Sequence, residues 1–150
     1  MATTSTVPAT IDDVLTAVNA DLPGGVQAFE AWPGPEAAAE MVVLGEITWE
    51  EYDFASVKAG RQRRQEEWSV EFEVFAFGSA NSSPTNPKTA RDRAFDLTAS
   101  LENVLADNPK LGVGGGGWAR TALTTAGPRV FDKGWAYRVA GRIHVSARLT

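Results

Sequence analysis

The sequence contains no cysteine, and this absence excludes several kinds of chemistry together. A disulfide framework, a thiol nucleophile and a thiolate-bound metal all require that residue. The single histidine, His144, leaves a zinc site few ligands other than carboxylates. The longest purely aliphatic run covers residues 41–44, far short of the roughly 20 residues that cross a bilayer. We therefore expect no metal site, no cofactor and no membrane contact.

The N-terminus also lacks the basic region and apolar segment that together mark a secretion signal. We therefore expect a chain that is made and kept in a cytoplasm. A length of 150 residues suits one domain with one core. The sequence predicts a flexible N-terminal segment over residues 1–9 and a single domain over residues 10–150.

Basic residues are scarce in the first part of the chain and acidic residues are scarce in the last. Residues 1–109 hold 7 Lys and Arg against 18 Asp and Glu, whereas residues 110–150 hold 7 against one, Asp132. The two parts therefore carry formal charges of −11 and +6. Such a division argues against a general nucleic-acid-binding protein, and it favours charge matching within the chain or between subunits.

Two amphipathic helices are predicted. The first begins at a cap on Thr10 and ends at Pro23, and its apolar residues follow the spacing of one helical face: Ile11, Val14, Leu15, Val18 and Leu22. The second begins at Pro87 and ends at Asn108, with its own apolar stripe. Both helices therefore have one face suited to cover a sheet.

Strands are predicted over residues 26–32, 41–54, 67–76, 118–125 and 135–149, with a polar loop from Ser56 to Gln65. Residues 67–76 and 135–149 alternate between apolar and polar positions, which is typical of antiparallel strands with one exposed face. The fold class expected is α+β. It is a two-layer sandwich, in which two helices pack on one face of a mainly antiparallel sheet of four to five strands.

Charged residues of opposite sign occupy the polar faces of two of these strands. The acidic set is Glu67, Glu71 and Glu73, and the basic set is Arg138, Arg142 and Arg148. If the two strands are neighbours, the sets pair across one surface, where each pair contributes roughly 0.2–1 kcal/mol. The alternative is that the acidic and basic sets meet another subunit.

Motifs that suggest enzymatic chemistry have simpler interpretations. Residues 112–117 fit G-x-G-x-x-G, but they follow a helix and precede a strand, the reverse of a dinucleotide site. Adjacent carboxylates such as Glu50-Glu51 and Glu66-Glu67 point to opposite faces of a strand, which is unsuitable for paired acid/base catalysis. His144 has no nucleophilic serine motif beside it in the sequence. We therefore predict no catalytic residues and no enzymatic activity.

A cluster of basic residues lies in the predicted loop: Lys58, Arg61, Arg63 and Arg64. Three readings of it stand: contact with an acidic protein partner, a solvated loop, or contact with DNA phosphates. No stacking aromatic residue is interleaved with the arginines, which disfavours DNA. Trp32 and Trp118 border proline-rich and glycine-rich segments, and each is either an interface residue or partly covered by a loop.

The order of the segments and their residue patterns resemble those of a known protein family. A short helix contains residues 11–15, a strand begins Glu-Trp-Ser-Val-Glu-Phe at residue 67, and a second helix contains residues 90–94 and 101–105. Asp-Asn-Pro-Lys-Leu-Gly follows at residues 107–112, and a hairpin ends in residues 137–145. Over roughly residues 10–148, the sequence resembles the tail terminator (tail completion) proteins of long-tailed bacteriophages, especially those of actinobacterial hosts.

This resemblance implies a structural role in a virion. Tail terminators form a hexameric ring on the head-proximal end of the tail tube, stop its polymerisation and contribute to head–tail joining. The implied partners are other copies of the chain, the major tail (tube) protein and a connector or neck protein. DNA passes through such a ring without sequence-specific binding. The implied location is the neck region of the virion tail, after assembly in the host cytoplasm.

Other functions remain open from the sequence. A head–tail connector or neck protein differs from a terminator only in the rings it contacts. A small cytoplasmic ligand-binding domain and an enzyme with an unfamiliar site are further alternatives. On the terminator reading, the candidate interface residues are the basic cluster, the acidic and basic strand sets, Trp32 and Trp118.

Overall fold

Two helices and five strands follow one another along the chain. The computed structural model describes residues 5–24, 26–32, 40–58, 61–77, 87–108, 117–131 and 134–149. In chain order the elements are α1 (Val7–Asp21), β1 (Gln27–Phe29), β2 (Met41–Lys58), β3 (Arg61–Phe77), α2 (Pro87–Asp107), β4 (Trp118–Phe131) and β5 (Gly134–Leu149).

The five strands form one sheet in the order β1-β2-β3-β5-β4. β1 runs parallel to β2, and every other neighbouring pair is antiparallel. Both helices share one core cluster with apolar side chains from a single face of the sheet. The predicted α+β sandwich, with a mainly antiparallel sheet and helices on one face, is confirmed.

The strongest alternation in the sequence forms the centre of this core. Trp68, Val70, Phe72 and Val74 of β3 are each at most 1% exposed. β3 is the middle strand of the sheet, so both of its neighbours help to enclose these side chains. Successive side chains of a strand point to opposite faces, which places the intervening Glu71 and Glu73 on the other surface.

The first helix begins earlier than predicted. Its buried stripe is confirmed, because Ile11, Val14 and Val18 are all at most 4% exposed. However, α1 begins at Val7, with Thr6 rather than Thr10 at the cap position. Proline is favoured in the first turn of a helix, where its missing N–H costs nothing, and Pro8 lies there. The predicted cap at Thr10 is therefore wrong.

Polar side chains attach the helices to the sheet. Asn19 of α1 accepts a hydrogen bond from the Ala28 N–H at 2.7 Å and donates one to the Ala28 carbonyl at 3.3 Å. Arg93 of α2 donates to Glu40, just before β2, at 2.9 Å. The first pair of bonds ties α1 to β1, and the last ties α2 to the residue that precedes β2.

Gly141 of β5 allows an unusually close approach within the sheet. A Cβ atom at this position would lie 2.7 Å from Cζ of Phe72, and it would also meet the carbonyl oxygen of Ala122. The Phe72 ring therefore fills the space that a side chain of residue 141 would need. β4 carries a bulge opposite, between Leu123 and Thr125. Glycine is consistent with this crowding because it has no Cβ.

Predicted boundaries of three strands, β2, β3 and β4, are wrong, because each strand is longer than expected. Ser56 lies in β2 and Gln65 lies in β3, so the predicted polar loop belongs largely to a hairpin. Alternation predicts strands only where one face is buried, and a polar ribbon gives no such signal. β4 continues past Thr125 to Phe131 despite Pro128, because an edge strand tolerates proline.

The remaining differences are smaller. The first predicted strand, residues 26–32, is reduced to the three residues of β1. Residues 132 and 133, between the fourth and fifth predicted strands, lie outside the described residues, although β4 and β5 pair up to Phe131 and Gly134 on either side. Residues 112–116 of the glycine-rich motif also lie outside them.

Candidate assembly surfaces

The sheet face opposite the helices, here called the open face, carries a set of ion pairs. Glu73 of β3 accepts a hydrogen bond from Arg138 of β5 at 2.6 Å. Arg129 of β4 also reaches the same Glu73 oxygen, at 3.4 Å. The Glu73 carboxylate therefore contacts one arginine on β4 and one on β5.

A second cross-strand pair lies beside the first. Glu71 and Arg142 are register partners on β3 and β5, and their side chains approach to 3.3 Å. The imidazole Nδ1 of His144 lies 3.6 Å from a carboxylate oxygen of Glu50 on β2. Opposite charges across neighbouring strands stabilise a sheet modestly, and these groups are partly exposed. The predicted matching of the two charged strands is thus present within one sheet.

The two outer members of the charged sets are placed by register. Glu67 is half-buried and lies opposite Ser146, whereas Arg148 lies opposite Gln65. Arg148 therefore lies two residues along β5 from Ser146, the register partner of Glu67, and is not itself paired in register with Glu67. That any of these six residues contacts another subunit stays a prediction.

The hairpin of β2 and β3 extends past the end of β5. The last β3–β5 pair joins Arg64 to Leu149, but β2 and β3 continue to pair as far as Lys58 and Arg61. Three further pairs at about 3.3 Å per residue carry the hairpin roughly 10 Å beyond β5. We call residues 56–58 and 61–64 the basic arm, since they include Lys58, Arg61, Arg63 and Arg64 and no acidic residue.

A buried carboxylate at the root of this arm holds the start of α1. Glu66 of β3 is 0% exposed, and it accepts hydrogen bonds from the Ser5 hydroxyl at 2.6 Å and the Thr6 N–H at 3.2 Å. The Trp49 indole N–H on β2 also donates to it, at 3.4 Å. Trp68 completes the group, because its indole N–H donates to the Thr6 hydroxyl at 3.1 Å.

The role of Glu66 was not predicted from the sequence. The predicted placement of Glu66 and Glu67 on opposite strand faces is confirmed, but no partner for a buried carboxylate was predicted. The donors lie 60 and 61 residues away along the chain, so no local spacing indicates them. The first four N–H groups of a helix lack partners within the helix, which suits an acceptor placed there. Glu66 fixes α1 to the root of the basic arm.

The two tryptophans proposed as interface residues are both partly exposed. Trp32 is 48% exposed, and its ring stands edge-on to Phe75 with centroids 5.5 Å apart. Phe75 belongs to a small buried cluster with Met41, Val43 and Ala136, separate from the main core. Trp118 at the start of β4 is 41% exposed, and the Arg120 guanidinium lies 4.8 Å from its ring centroid.

Lys88, Arg91 and Asp92 form a separate charged group near the start of α2. Lys88 and Arg91 contact the Asp92 carboxylate at 3.2 and 3.1 Å. Hydrogen bonds from Lys88 and then Arg91 lower the pKa of Asp92 below its ordinary value. All three side chains are about half exposed or more, so their pairing adds little to stability.

The described residues hold few features suited to a small ligand. An open cavity of about 430 Å³ lies between the C-terminal turns of the two helices, where Asp21 and Asp107 contribute to its lining. Across the described ranges, no three His, Asp or Glu side chains gather as metal ligands. Among the helical residues described, none belongs to a segment long and apolar enough to cross a membrane.

The chain has matches among solved structures but none among protein-family profiles or curated proteins. No protein-family profile matches the chain, and the search of curated proteins found no significant match. Among solved structures, one similar chain comes from a structure titled "Virion of native gene transfer agent (GTA) particle". The two chains are 16% identical with a TM-score of 0.47, over 97% of this chain and 100% of the other.

Proposed function

We propose that this chain is a structural protein of a phage-like virion that acts as a tail terminator. In this role, copies of the chain form a ring on the head-proximal end of the tail tube and stop its polymerisation. The ring then contributes to the head–tail interface around the DNA channel. The sequence resemblance over roughly residues 10–148 supports this assignment. The fold also presents a surface, the basic arm, that is suited to contact another subunit.

The observation that carries the proposal is the basic arm. A two-stranded ribbon that extends roughly 10 Å past the end of β5 has no third strand paired with it among the described residues. Its four basic residues have no acidic neighbour within residues 56–64. Such an extension is suited to contact an acidic surface on another subunit, where charge complementarity sets the partner and the orientation. In the proposed role this partner is the adjoining ring of the tail tube.

The root of the arm is anchored to the start of α1. Glu66 lies two residues from the arm along β3 and holds Ser5 and Thr6 at the start of α1. Buried hydrogen bonds to a carboxylate are stronger than those between neutral groups. The arm therefore extends from a base that is hydrogen-bonded to the start of α1.

Two charge-reversal variants in an infectious particle test this proposal. The first is Arg61→Glu with Arg63→Glu in the basic arm, and its matched control is Lys88→Glu with Arg91→Glu on α2. Both lower the net charge by the same amount, and both leave the core unchanged. We expect the arm variant alone to give tails of uncontrolled length and few joined heads. Tails of normal, defined length from the folded arm variant would refute the proposal.

A further inference from the structure

Both edges of the sheet are long and open. β4 occupies one edge with 14 residues, and no strand in the described ranges pairs with its outer side. At the other edge, β1 covers β2 only at Met41, Val42 and Val43. The outer side of β2 is therefore unpaired from Leu44 onwards within the described residues. Open edges present backbone N–H and C=O groups that can pair with another strand.

The two edges carry opposite charge. β4 contains Arg120 and Arg129 and no acidic residue. The uncovered part of β2, residues 44–58, contains four acidic residues and only Lys58 as a basic one. If two copies paired through the same edge, like charges would meet across the contact, which destabilises a sheet. Pairing of one edge with the other brings opposite charges together.

The same edges carry exposed apolar side chains. Of the five large apolar side chains that are strongly exposed among the described residues, three lie on these strands: Trp49 on β2 and Trp118 and Leu123 on β4. Their exposed fractions are 48%, 41% and 46%. Apolar side chains beside an open edge add burial to the backbone pairing, and tryptophan is common at the centres of interfaces.

We propose that β4 of one copy pairs with the outer side of β2 of a second copy. This inference rests on the proposed function, since it supplies the contact between subunits of the ring. The contact is head-to-tail, because the two edges differ, and repeated contacts of that kind close into a ring when the rotation between copies permits. The occupant of each edge is thus a second copy of this chain.

Bulges in both strands are compatible with a curved contact. β2 has three irregularities against β3, beginning at Leu44, Trp49 and Phe54, and β4 has one at Leu123. Each bulge bends its strand and increases the local twist. A joined sheet must curve to close, and bulges are the usual means of curving one. Pairing between copies is then confined to the regular segments between bulges.

Cross-linking between two cysteine variants tests the proposed contact, because the native chain has no cysteine to interfere. Copies with Thr48→Cys on β2 are mixed with copies with Ala122→Cys on β4 and treated with a short bismaleimide. The matched control replaces the second variant with Ala99→Cys, an exposed alanine on α2. We expect the edge mixture to give about tenfold more dimer than the control, which corresponds to 1.4 kcal/mol of preference.

Charge reversal in the same mixture tests the complementarity. Arg120→Glu on the β4 copy is expected to lower the dimer yield about tenfold, and Glu46→Lys on the β2 copy to restore it. Each variant is first checked for a native circular dichroism spectrum and melting temperature. A yield no higher than the control, dominant cross-links between identical edges, or no response to either charge change would overturn the inference.

The outcomes separate this inference from the proposed function. If the chain terminates tails but the edge mixture cross-links no better than its control, the edge contact is wrong and the function stands. If the edges cross-link as expected but the arm variant leaves tails normal, the edge contact stands and the terminator function is wrong.

Discussion

Replacement of Glu66 tests whether one buried carboxylate holds α1 to the sheet. Glu66→Met keeps the approximate volume of the side chain but removes both acceptor oxygens. The Ser5 hydroxyl and the Trp49 indole are partly exposed and can turn to water, whereas the Thr6 N–H is buried and loses its partner. An unsatisfied buried donor costs about 1–3 kcal/mol, and bonds to a charged acceptor are worth about 1.5–3 kcal/mol. We expect Glu66→Met to lower the free energy of unfolding by about 2–3 kcal/mol.

The assay is urea unfolding, monitored by tryptophan fluorescence and by circular dichroism. The dependence of the unfolding free energy on urea concentration is held to the wild-type value. Glu67→Met is the matched control, because it changes the neighbouring glutamate, which is only half-buried. A cycle with Ser5→Ala isolates the contact, since residues in one hydrogen-bond network couple by about 0.5–3 kcal/mol. Equal stabilities of Glu66→Met and the wild type, or additive effects in the cycle, would refute the reasoning.

Three further substitutions probe the fold and the open face. Gly141→Ala should lower the free energy of unfolding by about 1–3 kcal/mol, because its Cβ meets the Phe72 ring; an unchanged urea midpoint would contradict this. Thr10→Val should raise the free energy of unfolding by about 1 kcal/mol, because the buried Thr10 hydroxyl has no hydrogen-bond partner among the described residues. Thr98→Val should give no such gain, because the Thr98 hydroxyl donates a hydrogen bond to the Ala94 carbonyl. Thermal melts of the two valine variants that shift equally would argue against that distinction. Glu73→Gln should lower the free energy of unfolding by about 0.5–1 kcal/mol at low salt and by less at high salt, because it removes two partly exposed ion pairs that salt screens. A loss of stability that does not change with salt would exclude an ionic origin.

Features with a periodic signal could be predicted from the sequence. The alternation around Phe72 places that residue at the centre of the core, and the spacing of Val14 and Val18 defines the buried stripe of α1. The charged residues that fall between those apolar positions, such as Glu71 and Arg142, then meet across neighbouring strands. Burial of one face is what makes the period visible, so these elements and the fold class followed from it.

Features without a periodic signal could not be predicted in the same way. The arm around Arg63 is polar, so alternation gives no sign that it forms strands. Pro128 suggests the end of β4, yet an edge strand has a side on which a missing N–H costs nothing. The bonds of Glu66 to Ser5 and Thr6 join distant parts of the chain, and only the fold brings them together.

Direct location of the chain in purified particles tests the central claim. Electron cryomicroscopy of intact virions resolves the rings between the head and the tail tube, and the α+β sandwich with its projecting hairpin can be placed in them. The terminator role predicts one ring of this chain on the head-proximal end of the tube, with the basic arm against the first tube ring. A ring of this chain joined to the head and not to the tube, or its absence from the particle, would contradict the account.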